Sequence, residues 1–276
     1  MKSFYRRKLR GNAQHIMKPR QLLQFSAVIS AVSALILLML PWNFTSYLHV
    51  PVSAQLYVLG MALMQVIFTI WFFKGAGEFE FARLGALTRI FIGLCFAVWA
   101  VHLRSTVLDA EMHSWLARGM IVYAAIEVLV GSFLLTATTH SRIGETKERA
   151  MTAIHYNRLL FAIYMILLSG WIFFLPDSFI AFFHLPLPAS ATEANLLHGL
   201  LAVFSLLLLQ LALFNLIAVR YRIEVLITAG MRGGLVACVA ASLLVLFRIA
   251  HPLVLLIPAV DLVSVAAIAL GKIGRR

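Results

Sequence analysis

Two carboxylates sit in stretches that are otherwise made for lipid. Glu127 lies in the apolar run IEVLVGS and Asp261 in VDLVSVA. Each is about 11 residues, or about 16 Å at 1.5 Å per residue, from the end of its run, near the middle of a hydrocarbon core about 30 Å thick. An ionised carboxylate at that depth costs about 2.5–3.5 kcal/mol on insertion scales, so such groups face a bundle interior, find a partner or carry a proton. Each acid is therefore a candidate proton acceptor, or a handle for a polar or cationic substrate. Two arginines accompany them, Arg89 six residues before Cys95 and Arg232 six residues before Cys238. Tyr123 stands one helical turn before Glu127 and can face it. Gln65 and Gln210 add amides at mid-depth of two further runs, and Pro258 precedes Asp261 by three residues, where its missing N–H predicts a kink.

These residues admit two readings. In one, Glu127, Asp261, Arg89, Arg232, Tyr123, Gln65 and Gln210 line a polar path. In the other, each acid pairs with the arginine of its own half, Arg89 with Glu127 and Arg232 with Asp261, as structural glue. Both arginines fall one to two turns inside the basic boundary of their runs, where a long side chain can reach inward or extend to the headgroups.

The elements that must hold these groups are helices. The chain is 62% hydrophobic and 12% charged, with a mean hydropathy of +0.93, where soluble domains carry about 25% charged residues. Eight apolar runs, at about 22–40, 56–73, 84–103, 116–138, 158–175, 197–219, 225–247 and 252–271, are long enough to cross a membrane. Lipid cannot satisfy open backbone groups, so the fold class is all-α, a polytopic membrane bundle. With the N-terminus inside, all but Arg104, Arg118 and Arg248 of the 23 lysines and arginines fall on the inner side. That bias predicts both termini in the cytoplasm, and the expected location is a bacterial inner membrane. The net charge of +12 then reads as topology and attraction to anionic lipid at the cytoplasmic face, not as nucleic-acid binding. The leader 1–20 reads as a basic anchor and not as a cleaved signal.

The chain repeats itself. PWNFTSYLHVP at 41–51 is echoed by PDSFIAFFHLP at 176–186, with Pro41/Pro176, Phe44/Phe179, His49/His184 and Pro51/Pro186 in register. The Arg/Cys pairs and the two acids recur in the same order. This predicts two tandem four-span units, 21–139 and 159–276, joined by a cytoplasmic linker at 140–158. Units with an even number of spans face the same way, which predicts a pseudo-twofold axis along the membrane normal. Small residues at spacing four, Gly93 and Ala97 in the third span and Gly230, Gly234 and Cys238 in the seventh, place those two spans beside the axis. Each echoed loop reads as a short interfacial helix, with Phe44, Tyr47 and Leu48, or Phe179, Phe182 and Phe183, on one face. The four-span unit, with its arginine in the third span and its acid in the fourth, resembles the DoxX-like four-helix membrane proteins. That resemblance implies a small membrane component associated with redox or envelope complexes, and it carries no functional residue over.

Most of the histidines fall on the outer side. His49, His184 and His198 are the candidates for a metal there, but none forms a tight ligand motif. Cys95 and Cys238 form no C-x-x-C, and there is no nucleotide-binding glycine loop, serine elbow or H-E-x-x-H. No cofactor is implied, and no segment outside the apolar runs is long enough for a catalytic domain. The function classes left are small-molecule or proton transport, an accessory or scaffold subunit with a membrane protein partner, and an enzyme acting on lipid or quinone.

Overall fold

The computed structural model describes residues 18–47, 52–106, 110–139, 152–185, 187–188, 190–248, 250–260 and 266, and among them it contains helices and no strand. The long helices are α1 (Pro19–Tyr47), α2 (Val52–Gly75), α3 (Phe79–Thr106), α4 (Ala110–Thr139) and α5 (Ala153–Phe174). A short α6 (Pro176–Phe182) leads to α7 (Ala191–Arg220) and α8 (Glu224–Leu246). A 3-10 turn (Pro252–Leu255) then runs into helix at 256–260. Seven of these helices are long and apolar enough to cross a membrane. The chain is thus a multi-pass helical bundle. Half of the eighth apolar run, with Asp261, lies outside the described residues, as do His49 and residues 140–151 of the expected linker.

Helices α1 and α2, α3 and α4, and α5 and α7 form tightly packed pairs, and α7 ties the bundle together by also touching α2, α3 and α8. Of the α7 span, 78% is buried, against 22% for α8. The seventh span is thus less enclosed than its small residues implied, while the third, α3, is 44% buried and packs on α4 and α7. Gly93 of α3 packs on α4, and Gly233 of α8 packs on Ile67 of α2. The small residues serve close approach to a neighbouring helix, and the middle is taken by the second and sixth spans, α2 and α7.

Polar side chains knot one of these pairs. Ser169 of α5 donates to the carbonyl of Ser205 on α7 at 2.9 Å, and Ser205 donates back to the carbonyl of Ser169 at 2.9 Å. Near the ends of α2 and α3 that carry Lys74 and Arg83, the rings of Phe68, Trp71, Phe72, Phe81 and Phe214 form one cluster. We call this the basic end, since Lys18, Arg220 and Arg222 also cluster at helix termini there. Outward, Val28, Val32, Leu35, Leu94, Val98 and Leu167 are exposed, as a lipid-facing surface requires.

The two copies of the echoed loop differ. The second is a separate helix, α6, with Phe179 and, just past its end, Phe183 buried against Trp171 while Phe182 is 49% exposed. In the first, residues 41–47 simply continue α1.

Candidate functional site

The site grows from the antiparallel contact of α3 and α4. Gly93 lies so close to α4 that a β-carbon there would meet the Ala124 carbonyl oxygen at 3.0 Å and Glu127 Cβ at 3.2 Å. Gly131 repeats this from the other helix, where a β-carbon would meet the Ala86 carbonyl oxygen at 2.8 Å. The two glycines stand one turn beyond Arg89 and Glu127 respectively, so they set the approach that lets those side chains meet.

Arg89 Nη2 donates to Glu127 Oε1 at 3.0 Å. The other carboxylate oxygen accepts from Gln210 Nε2 of α7 at 3.1 Å. The Arg89 guanidinium lies over the Phe72 ring, 4.3 Å from its centre. Both members of the pair are buried, Arg89 at 1% and Glu127 at 3% exposure. Helix α3 begins at Phe79, so Arg89 lies about 15 Å into it, deeper than the run boundary at residue 84 implied. The arginine and the acid are both at mid-span. The polar groups around them are not all satisfied: Arg89 Nε and Nη1 and Gln210 Oε1 are buried with no hydrogen-bond partner.

Next to the pair, Gln65 Nε2 of α2 donates to the Tyr123 hydroxyl at 3.4 Å, and the Tyr123 ring meets Phe96 edge-on at 4.9 Å. Gln65 and Tyr123 are the polar part of the lining of a cavity of about 200 Å³ between α1, α2, α3, α4 and α7. Its remaining walls include Leu37, Val58, Met120 and Leu200, which lie toward the ends of their helices opposite the basic end. The cavity therefore reaches from that side to within one helical turn of Glu127.

Five candidate residues from four helices, Arg89, Glu127, Gln210, Gln65 and Tyr123, thus share one neighbourhood. Arg232 does not join them, since it is exposed on α8. Of the histidines considered for metal, His198 Nε2 lies 2.8 Å from Asp177 Oδ1, and the His184 ring lies 4.8 Å from that of His251. Among the described residues no group of three His, Cys, Asp or Glu could hold a metal ion. One neighbour was not legible from the sequence: Phe72, the ring under Arg89, is one of many apolar residues on α2.

Compared with family models, curated proteins and solved structures, the chain matches none.

Proposed function

We propose that this protein binds a proton or a small polar molecule at Glu127 and passes it along a path that includes Arg89, Gln210, Gln65 and Tyr123. The observation that carries the reading is a mid-span ion pair ringed by unpartnered polar atoms, Arg89 Nε and Nη1 and Gln210 Oε1, beside a cavity that reaches Gln65 and Tyr123. A pair meant only as glue gains most when every polar atom around it is satisfied, because a half-satisfied network in low dielectric is costly. Donors and an acceptor left over at one point are a site for a further polar group.

The second reading is an accessory or scaffold subunit, and the 3.0 Å contact between Arg89 and Glu127 favours it, since a formed pair needs no ligand. In either case we place the chain in a bacterial plasma membrane, with eight spans and both termini cytoplasmic. We read it as two parallel four-span units in the outline of the DoxX-like proteins, with Asp261 as the counterpart of Glu127. Packing of α3 on α7 and of α2 on α8 supports the duplication, because exchanging the units turns one contact into the other.

Proteoliposomes separate the two readings. Under an imposed pH gradient, the wild type should take up protons and Glu127→Gln should not. Cysteines placed at 61, 65 and 127 in a Cys95→Ser/Cys238→Ser background should react with a membrane-impermeant thiol reagent. No flux above empty liposomes, together with protection at all three positions, would leave the scaffold reading.

A further inference from the structure

A second cavity, separate from the Glu127 site, runs along the seam between α2, α5, α7 and α8. It holds about 140 Å³ and is lined almost wholly by carbon, with Leu63, Met64, Phe161, Met165, Phe204 and Ala237 among its walls. On α2 its lining extends from Leu56 to Trp71, 15 positions or about 22 Å along the axis. A void of that shape and lining fits an unbranched hydrocarbon chain.

Its basic end is different. Trp71 and Asn215 line it there, at 0% and 1% exposure, and Trp71 Nε1 and Asn215 Oδ1 have no hydrogen-bond partner. Asn215 Nδ2 is already committed to the Leu211 carbonyl oxygen at 2.9 Å. Gly230 holds the three elements together. A β-carbon on it would stand 3.1 Å from Trp71 Cζ2, 3.3 Å from Asn215 Oδ1 and 3.5 Å from Arg158 Nη1. Two residues at this end of the lining thus carry one unused N–H donor and one unused carbonyl acceptor, and burying such groups unpaired costs more than a hydrogen bond returns.

We propose that this cavity binds a single-chain lipid, its hydrocarbon tail along α2 and its carboxyl or hydroxyl head against Trp71 and Asn215. A protonated carboxyl satisfies both groups at once, its carbonyl accepting from Trp71 and its hydroxyl donating to Asn215. An alcohol does the same with one oxygen. The Arg158 guanidinium beside the same point adds attraction for an oxygen-rich head. A phosphodiester head would carry a permanent charge into this apolar lining, a cost that a neutral carboxyl or hydroxyl head avoids.

The test uses the whole protein in lipid nanodiscs and reads tryptophan fluorescence. A long-chain fatty acid brominated close to its carboxyl end should quench Trp71 saturably, and the unbrominated acid should reverse it. A brominated fatty alcohol distinguishes a hydroxyl head from a carboxyl head, and a brominated phosphatidylcholine gauges contact from the bilayer. Trp71→Phe should remove the saturable component. Ala237→Phe, which plugs the cavity midway, should abolish it, with Ala241→Leu as a second plug should the first not fold. Asn215→Leu should weaken binding by about tenfold, the effect of one lost hydrogen bond. Quenching that never saturates, or that the unbrominated acid does not reverse in the wild type, overturns the proposal without any variant. Saturable quenching that survives both plugs also overturns it.

Discussion

Arg89 and Glu127 meet at 3.0 Å in the middle of two membrane-spanning helices, each almost wholly withdrawn from solvent. Each side chain alone would be a buried, unpaired charge. Arg89→Met should therefore lower stability by about 3–5 kcal/mol, since it strands the carboxylate with only the Gln210 amide. The double variant Arg89→Met/Glu127→Leu should recover most of that loss, because neither charge is then left behind. Denaturant titration in detergent micelles measures both. A single and a double variant of equal stability would mean the pair is not coupled.

The glycines beside that pair make a sharper steric prediction. Gly131→Ala would put a β-carbon 2.8 Å from the Ala86 carbonyl oxygen, which is backbone and cannot swing away. Helix α3 must retreat, at about 1–3 kcal/mol, and the Arg89–Glu127 contact goes with it. Gly119→Ala and Gly170→Ala, with nothing within 4 Å, should instead be neutral or stabilise by up to about 1 kcal/mol through helix propensity. Thermal unfolding of the three variants side by side decides it.

The serine knot offers a third test. Ser169 and Ser205 each donate to the other's backbone carbonyl, so either alanine variant removes one of two parallel links between α5 and α7. Hydrogen bonds between membrane helices average about 0.6 kcal/mol and reach about 1.7. Each alanine variant should therefore lose stability within that range, read from denaturant titration, and the double variant about the sum of the two losses. No loss in either variant would show that packing alone joins the two helices.

The bundle was readable from the sequence because hydrophobic length is a direct response to bilayer thickness. Five residues of the candidate site stood out for the same reason, polar groups being conspicuous in an apolar run. What could not be read was depth and partnership. Arg89 looked close to a boundary because Phe79–Arg83 is polar enough to resemble a loop, yet the helix begins there. Arg89 and Arg232 look equivalent in sequence, but one is buried against Phe72 and the other exposed, and helical spacing alone does not say which face a neighbour covers. Glycines at spacing four likewise announce a close contact without naming the helix that makes it. Trp71 and Asn215 gave no signal, since their interest lies in hydrogen bonds they do not make.

The same asymmetry predicts function. Arg232→Gln removes an exposed cation and should leave stability within about 0.5 kcal/mol of wild type. It should leave proton uptake unchanged as well, whereas Arg89→Gln should abolish it. Equal losses in the two variants would mean that both halves carry the path.

The last prediction concerns how α7 hands the chain to α8. Arg222 adopts a left-handed backbone, φ 53°, just past the end of α7. The turn it closes is a Schellman motif, with Ile223 N–H on the Ala218 carbonyl at 2.9 Å and Arg222 N–H on the Val219 carbonyl at 3.2 Å. A side chain in that conformation costs about 1–2 kcal/mol, and glycine avoids the cost. Arg222→Gly should therefore raise stability by about 1 kcal/mol, with Arg222→Ala giving no such gain because it keeps the β-carbon. Melting curves of the two variants in the same detergent provide the comparison, and a gain shared by alanine would assign the effect to the lost charge instead of the backbone.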